Sequence, residues 1–277
     1  MNIKIVADSS ADLMHEQHEN LISVPMKIMT DSKEYVDDHV LDVKQMTENL
    51  ASYQGKSGSA CPGVGDWLDA FGDADRVFCI TITSNLSGSY NSAMVAKETY
   101  ESEHPDKKVF VIDSLSAGPE LKLIKEKLEE LIAEGKEFEE ICSEIMEYKK
   151  NTYLVFFLKS LNNLANNGRV NKAVAKVAGV FGIHVTGIAS EVGTLEQKGK
   201  SRGEKKAVFS IWEQMKELGY KGGKVRIDHC FNENAAKQLE QMVCNDYPEA
   251  DVIIATTGGL CSFYAEEGGM LVGIESE

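Results

Sequence analysis

No stretch of this chain stays apolar for the roughly 20 residues that a membrane-spanning helix needs. Cations are scarce: 29 Lys and Arg stand against 44 Asp and Glu, a formal net charge of −15. Nucleic-acid backbones and anionic bilayers are both recognised by clustered Lys and Arg, so this balance disfavours both as partners. Cysteine is scattered. Cys61, Cys79, Cys142, Cys230, Cys244 and Cys261 form no Cys-x-x-Cys pair, which speaks against a zinc site or disulfide framework and for reduced thiols. A P-loop, a Gly-x-Gly-x-x-Gly turn after a strand and a zinc signature are also missing. Before Ile3 there is no basic region with an apolar core, as a signal peptide has, so a cytoplasmic location is expected. Internal repeats, low-complexity tracts and long linkers are absent as well.

What is present suits a soluble globular protein. Hydrophobic residues make up 43% and charged residues 26% of 277, enough for one large or two ordinary domains. The most informative stretch runs from Cys79 to Ala93. Val77 to Ile82 reads as a buried strand, Ser87-Gly88-Ser89 as a tight turn, and Tyr90, Ala93, Met94 and Tyr100 as one helical face. A strand, a hydroxyl-lined turn and a helix N-terminus together favour an anion, because the first-turn N–H groups lack intrahelical partners. The competing reading makes Ser87 an ordinary helix cap.

The same grammar recurs along the first half. Ile3 to Ala7 reads as a strand running into Asp8-Ser9-Ser10-Ala11-Asp12-Leu13, a turn or cap composition. Leu21 to Met29 reads as extended and broken at Pro25, 30–39 as a loop or edge hairpin, and Val43 to Tyr53 as a helix. Ser59 is expected on a loop before a second helix opened by Pro62, with Trp67, Leu68 and Phe71 on its apolar side. Val109 to Asp113 reads as a strand, Pro119 to Gly135 and Glu137 to Lys149 as helices. Strands alternating with helices and ending in Asp, Ser or Thr indicate a parallel sheet, whose ligands bind beyond the carboxyl ends of its strands.

Near residue 150 the texture changes. Tyr153 to Leu158 is expected as a strand and Leu161 to Asn167 as a short helix, with Asn167-Gly168 ending it. A helix over 171–180, a strand over 183–190 and a hairpin through Gly193 follow. Then come a helix 204–218, strand 224–229, helix 233–245, strand 251–255 and strand 270–275. The expected fold is two α/β domains, 1–150 and 151–277. The first is built on a mainly parallel sheet with helices on both faces, the second on two layers.

These motifs resemble those of the DegV family, bacterial fatty-acid-binding proteins, essentially from end to end. Asp8-Ser9-Ser10-Ala11-Asp12-Leu13 resembles the family's opening motif, and Ser59-Ala60-Cys61-Pro62-Gly63 its Thr-Ser-x-Pro-Ser. Ser84-Asn-Leu-Ser-Gly-Ser-Tyr-Asn-Ser-Ala93 resembles its Ser-x-Leu-Ser-Gly-Thr-Tyr-x-Ser-Ala, Asn167-Gly168-Arg169-Val170 its Gly-Gly-Arg-Ile, and Lys200-Ser201-Arg202 its Lys-x-Arg. The resemblance implies a lipid tunnel between two α/β domains, with the acid's carboxylate near loops of the first. It further implies presentation of that carboxylate to a separate fatty acid kinase with a dihydroxyacetone-kinase-like domain, without a cofactor. The carboxylate contacts it implies are Ser59 and Ser87, with Gly88 at the helix start. The chain departs from the pattern where Ser59 replaces Thr, Ala60 and Gly63 replace Ser, and Tyr264 stands in a region where many members carry His.

Each candidate has two readings. Arg202 is either the charge approaching the carboxylate from the second domain or part of a surface or interdomain ion pair. Arg169 reads as structural, Tyr264 and Ala60 as lid or tunnel residues, His229 as a core histidine. A serine hydrolase centred on Ser87 is the enzyme alternative, but Asn85 occupies the first Gly position of a Gly-x-Ser-x-Gly elbow. An acidic protein-interaction module without lipid is the third class. In the lipid reading, each buried CH₂ contributes roughly 0.8 kcal/mol, so a C16 tail dominates affinity while hydroxyls fix orientation.

Overall fold

The computed structural model describes residues 2–171 and 182–276. The helix expected over 171–180 falls almost wholly outside these residues. Four strands, β1 (Ile3–Asp8), β2 (Leu21–Val24), β6 (Arg76–Thr81) and β7 (Lys108–Asp113), form a parallel sheet in the order β2-β1-β6-β7. Alternation sorts their side chains to two faces. Phe78 and Ile80 pack against α4 (Pro119–Ala133) and α5 (Phe138–Tyr148); Val77 and Cys79 pack against α2 (Val64–Phe71) and α3 (Ser89–Glu103). Burial on both faces explains why these strands read as continuous apolar runs.

The stretch expected as one broken strand is two strands in different sheets. Pro25 parts β2 from β3 (Lys27–Thr30), and β3 pairs antiparallel with both β4 (Glu34–Val36) and β5 (Ser57–Ala60). Ser59 therefore sits on a strand, opposite Ile28, and not on a loop. Pro62 lies before α2, whose N-cap is Gly63. Helix α1 (Val43–Ser52) is capped by Asp42, whose side chain accepts the Gln45 N–H.

The second half holds a six-stranded mixed sheet in the order β10-β9-β8-β13-β11-β12. Its strands are β8 (Thr152–Leu158), β9 (Ile183–Ala189), β10 (Leu195–Arg202), β11 (Val225–His229), β12 (Val252–Thr256) and β13 (Met270–Glu275). Val155 and Phe157 of β8 face α7 (Glu204–Glu217) and α8 (Glu233–Asp246), the two expected layers. Leu154, Phe156 and Leu158 face the other way, toward α6 (Asn162–Asn166) and α9 (Gly259–Ala265). Helix α9 was not anticipated: its Gly-Gly start and seven-residue length leave little periodicity to read.

Helix α4 is shared between the halves. Leu121, Ile124 and Leu128 enter the first core. Lys122 donates to Asp228 on β11 at 2.7 Å, and Glu126 takes both Nε and Nη2 of Arg226 at 2.6 and 2.7 Å. At Gly273 on β13 an added Cβ would lie 2.7 Å from the backbone of Pro119 and Glu120, so α4 and the second sheet touch backbone to backbone. No strand crosses between the sheets among the described residues: every strand of the first two sheets precedes residue 114 and every strand of the third follows residue 151.

Candidate functional site

An apolar cleft lies where the carboxyl ends of β6 and β7 meet the face of the six-stranded sheet that carries α6 and α9. Ile82 and Ala117 line it from the first half; Leu154, Phe156, Leu158 and Leu271 come from β8 and β13. Leu260, Cys261, Tyr264 and Ala265 of α9 form another wall. The cleft holds about 660 Å³ of atom-free space, its mouth included. Phe156, Arg169 and Leu195 also line a neighbouring cavity with Leu161, Val170 and Val185.

Polar side chains gather at one corner. Ser59 Oγ and the Tyr264 hydroxyl are 2.7 Å apart. The Arg169 guanidinium lies over the Tyr264 ring, 5.6 Å from its centroid. Arg169 Nε donates to the Leu86 carbonyl at 3.2 Å, placing the cation beside Ser87. Its Nη1 donates to the Asn167 carbonyl at 2.7 Å. Both bonds are to neutral acceptors, and no carboxylate neutralises Arg169 among the described residues. A half-buried guanidinium facing an apolar slot is poised for an anion, since arginine keeps its charge and presents several donors in a fixed fork.

Ser87 only partly fits its capping role. The N-cap of α3 is Gly88, and Ser87 Oγ accepts the Ser89 N–H at 3.3 Å. Its hydroxyl proton remains able to donate into the cleft, which Ser87 lines. Gly88 is exposed and lies outside the wall, where an added Cβ would come 3.3 Å from Cys61 Sγ. Ala60 ends β5 opposite Lys27 and is not in the wall either.

Arg202 lies away from this corner. It ends β10 paired with Ile183, is exposed, and lines neither cavity. Leu195, the β10 residue that does line the cleft, is seven positions away, roughly 20 Å along a strand. Arg169, which sequence reasoning set aside as structural, supplies the cation at this corner. The signal available was its place directly after the Asn167-Gly168 helix end, where positive φ at Gly168 (72°) turns the chain back toward the first half.

The Asp8-Ser9-Ser10-Ala11-Asp12 turn serves the frame of the site. Asp8 accepts the Ser10 and Ser89 hydroxyls at 2.5 and 2.6 Å and the Ile82 N–H at 2.9 Å. Burial pushes the Asp8 carboxyl up, and these donors oppose the shift. The ends of β1 and β6 and the start of α3 are thus tied through one side chain. His229 is buried, with Nδ1 accepting the Asn232 N–H at 3.2 Å, as a core histidine.

Fold and site together define a two-lobed α/β protein with an apolar cleft ending in hydroxyls and a cation. The chain belongs to the DegV family, whose pattern matches residues 2–277. It is 44% identical over 279 residues to a DegV domain-containing protein of Streptococcus pneumoniae, covering 99% of each chain. Two solved structures are similar throughout. A DegV family protein from Eubacterium eligens loaded with heptadecanoic acid has a TM-score of 0.96 at 47% identity, over 99% of this chain and 100% of that one. The Streptococcus pneumoniae Fatty Acid Kinase (Fak) B3 protein loaded with linoleic acid has a TM-score of 0.97 at 43% identity, over 100% of both.

Proposed function

We propose that this protein binds a long-chain fatty acid in the interdomain cleft and presents its carboxyl group to a separate fatty acid kinase. The observation that carries the reading is the concentration of Ser59, Ser87, Tyr264 and Arg169 at one corner of an otherwise apolar slot. The tail supplies affinity, on the order of 10 kcal/mol for a C16 chain at about 0.8 kcal/mol per buried CH₂. A carboxylate leaving water needs donors or it takes up a proton. Ser59 and Ser87 supply hydroxyls, Arg169 supplies charge, and the Tyr264 hydroxyl bridges to Ser59. Structural relatives loaded with heptadecanoic and linoleic acid support the ligand class.

The role is that of a carrier without turnover or cofactor, acting in the cytoplasm, its chain divided near residue 150. The cleft wall holds no histidine or carboxylate among the described residues, so Ser87 has no general base beside it there. No described helix is long and apolar enough to cross a membrane. Native mass spectrometry of the purified protein tests the ligand: a co-purifying fatty acid, displaceable by added palmitate, is expected. No saturable fatty-acid binding would favour an acidic interaction module, and ester hydrolysis abolished by Ser87→Ala would favour the hydrolase.

A further inference from the structure

Helix α9 follows β12 in the second half, yet its first turn is held by the first half. Asp12 Oδ1 accepts the Gly258 N–H at 2.9 Å. Asp37 Oδ1 accepts the Gly259 N–H at 2.6 Å, and its Oδ2 accepts the Leu260 N–H at 2.9 Å. Two carboxylates from elsewhere in the chain thus take the donors that a helix start leaves unpaired, at the positive end of the helix. The fit leaves no room for a side chain. A Cβ on Gly258 would lie 2.6 Å from Asp12 Oδ1, and one on Gly259 would lie 2.6 Å from Asp37 Oδ1.

Asp37 is itself held in place. It is 1% exposed, and Ser9 Oγ donates to its Oδ2 at 2.7 Å while accepting the Met26 N–H at 3.0 Å. Met26 lines the cleft. One turn beyond the clasp, Phe263 packs into the first half with Ile28, Tyr35 and Met46. Ile28 is the strand partner of Ser59. The clasp and the Ser59–Tyr264 contact are therefore two ends of one short helix set against one sheet, and a rigid helix passes a shift at its start on to Tyr264.

We infer that Asp37, seconded by Asp12, is a positioning residue for the head-group corner: by clasping the start of α9 it sets the Tyr264 hydroxyl against Ser59 and so tunes recognition of the acid end of the ligand. The inference rests on the fatty-acid reading above. It goes beyond it by assigning head-group selectivity to a buried carboxylate that touches no ligand-lining hydroxyl. An amide at position 37 would present N–H hydrogens where the Leu260 N–H and the Ser9 hydroxyl already donate, and would loosen the clasp while keeping shape.

The test measures binding of palmitate and of hexadecanol, which has the same tail without the carboxylate. Proteins compared are the wild type, Asp37→Asn, Tyr264→Phe and the double variant. Asp37→Asn is expected to weaken palmitate binding about 10-fold, in the range of a charge-assisted hydrogen bond, and hexadecanol binding less than about 2-fold. In the Tyr264→Phe background the same change should cost less than about 2-fold, because residues acting through one another are not additive. Equal losses for acid and alcohol, or full additivity with Tyr264→Phe, would overturn the assignment and leave Asp37 as a general stabiliser. If Asp37→Asn does not fold, Ser9→Ala, which removes one donor to Asp37, must show the same acid-selective, Tyr264-dependent loss, or the assignment fails. A wild type that binds neither compound would sink the fatty-acid reading itself and this inference with it. A wild type that prefers palmitate, paired with a non-selective Asp37→Asn, sinks only the inference.

Discussion

Two polar regions meet at the interface between the halves, and they differ in what their groups have left to offer. Around Asp8, Asp12 and Asp37, carboxylates and hydroxyls answer one another and the backbone at 2.5–3.3 Å. At the cleft corner, Arg169 spends two donors on neutral carbonyls, and Ser59, Ser87 and Tyr264 sit on an apolar wall. The first region is richer in chemistry-bearing residues, but apart from the buried Asp12 Oδ2 its capacity is used internally. A binding site is marked by unspent hydrogen-bonding capacity next to space, and only the second region has both.

The strongest way to break this contrast is to cut the closed region. Asp228→Ala strands the buried Lys122, and removal of one partner of a buried pair costs about 3–5 kcal/mol. Denaturant melts should show that loss, while the palmitate-to-hexadecanol affinity ratio of the folded fraction stays unchanged. A collapsed ratio would mean that the Lys122–Asp228 pair, like the Asp37 clasp, acts on recognition of the acid end.

Next in size is a pH effect. Burial raises the Glu120 carboxyl to about 7, against hydrogen bonds from Ser116 and Thr152. Below its unfolded value, near 4.5, both states are protonated and stability is full. As pH rises toward 7 the unfolded chain releases its proton first, so folding weakens, by up to about 3 kcal/mol for this group. Glu120→Gln should flatten that fall in melting temperature between pH 4.5 and 8. Asp37, raised to about 6 chiefly by burial, leaves a residual slope of the same sign. An unaltered profile in Glu120→Gln would remove Glu120 as its source.

At the open corner, Arg169→Met should lower palmitate affinity about 10- to 100-fold through loss of a charged partner worth about 1.5–3 kcal/mol. Hexadecanol affinity should hold, as calorimetry on both ligands can check. Ser87→Ala should cost palmitate about 10-fold with little change in apo stability, whereas a mere cap would leave affinity intact and cost about 1 kcal/mol of folding. Arg202→Ala should change palmitate affinity less than about 2-fold, as expected of an exposed charge off the wall. A 10-fold loss there would restore the role that sequence reading gave it.

The regular elements were legible because their causes are local. Two-sided burial writes β1, β6 and β7 as apolar runs, and α4 announces itself by Pro119 and a 3.6-residue period. Ser59 and Ser87 stood out through their resemblance to the family's motifs, since a serine ahead of a helix is by itself an ordinary cap. Short elements with weak periodicity were harder: β5 is Ser-Gly-Ser-Ala, and its strand identity depends on pairing with β3. Helix α9 depends on Asp12 and Asp37, 246 and 222 residues from the N–H groups they accept.

By itself, then, the sequence determined the alternation of strands and helices and the parallel first sheet, since propensity and periodicity act over a few residues. Which residues share a corner was decided by the tertiary structure. Arg169 rather than Arg202 lines the cleft and reaches the Leu86 carbonyl, and Asp37 rather than a local cap holds α9. Coulomb and hydrogen-bond partners are chosen by distance in space, and distances of 3 Å arise here only after two sheets and a shared helix have packed.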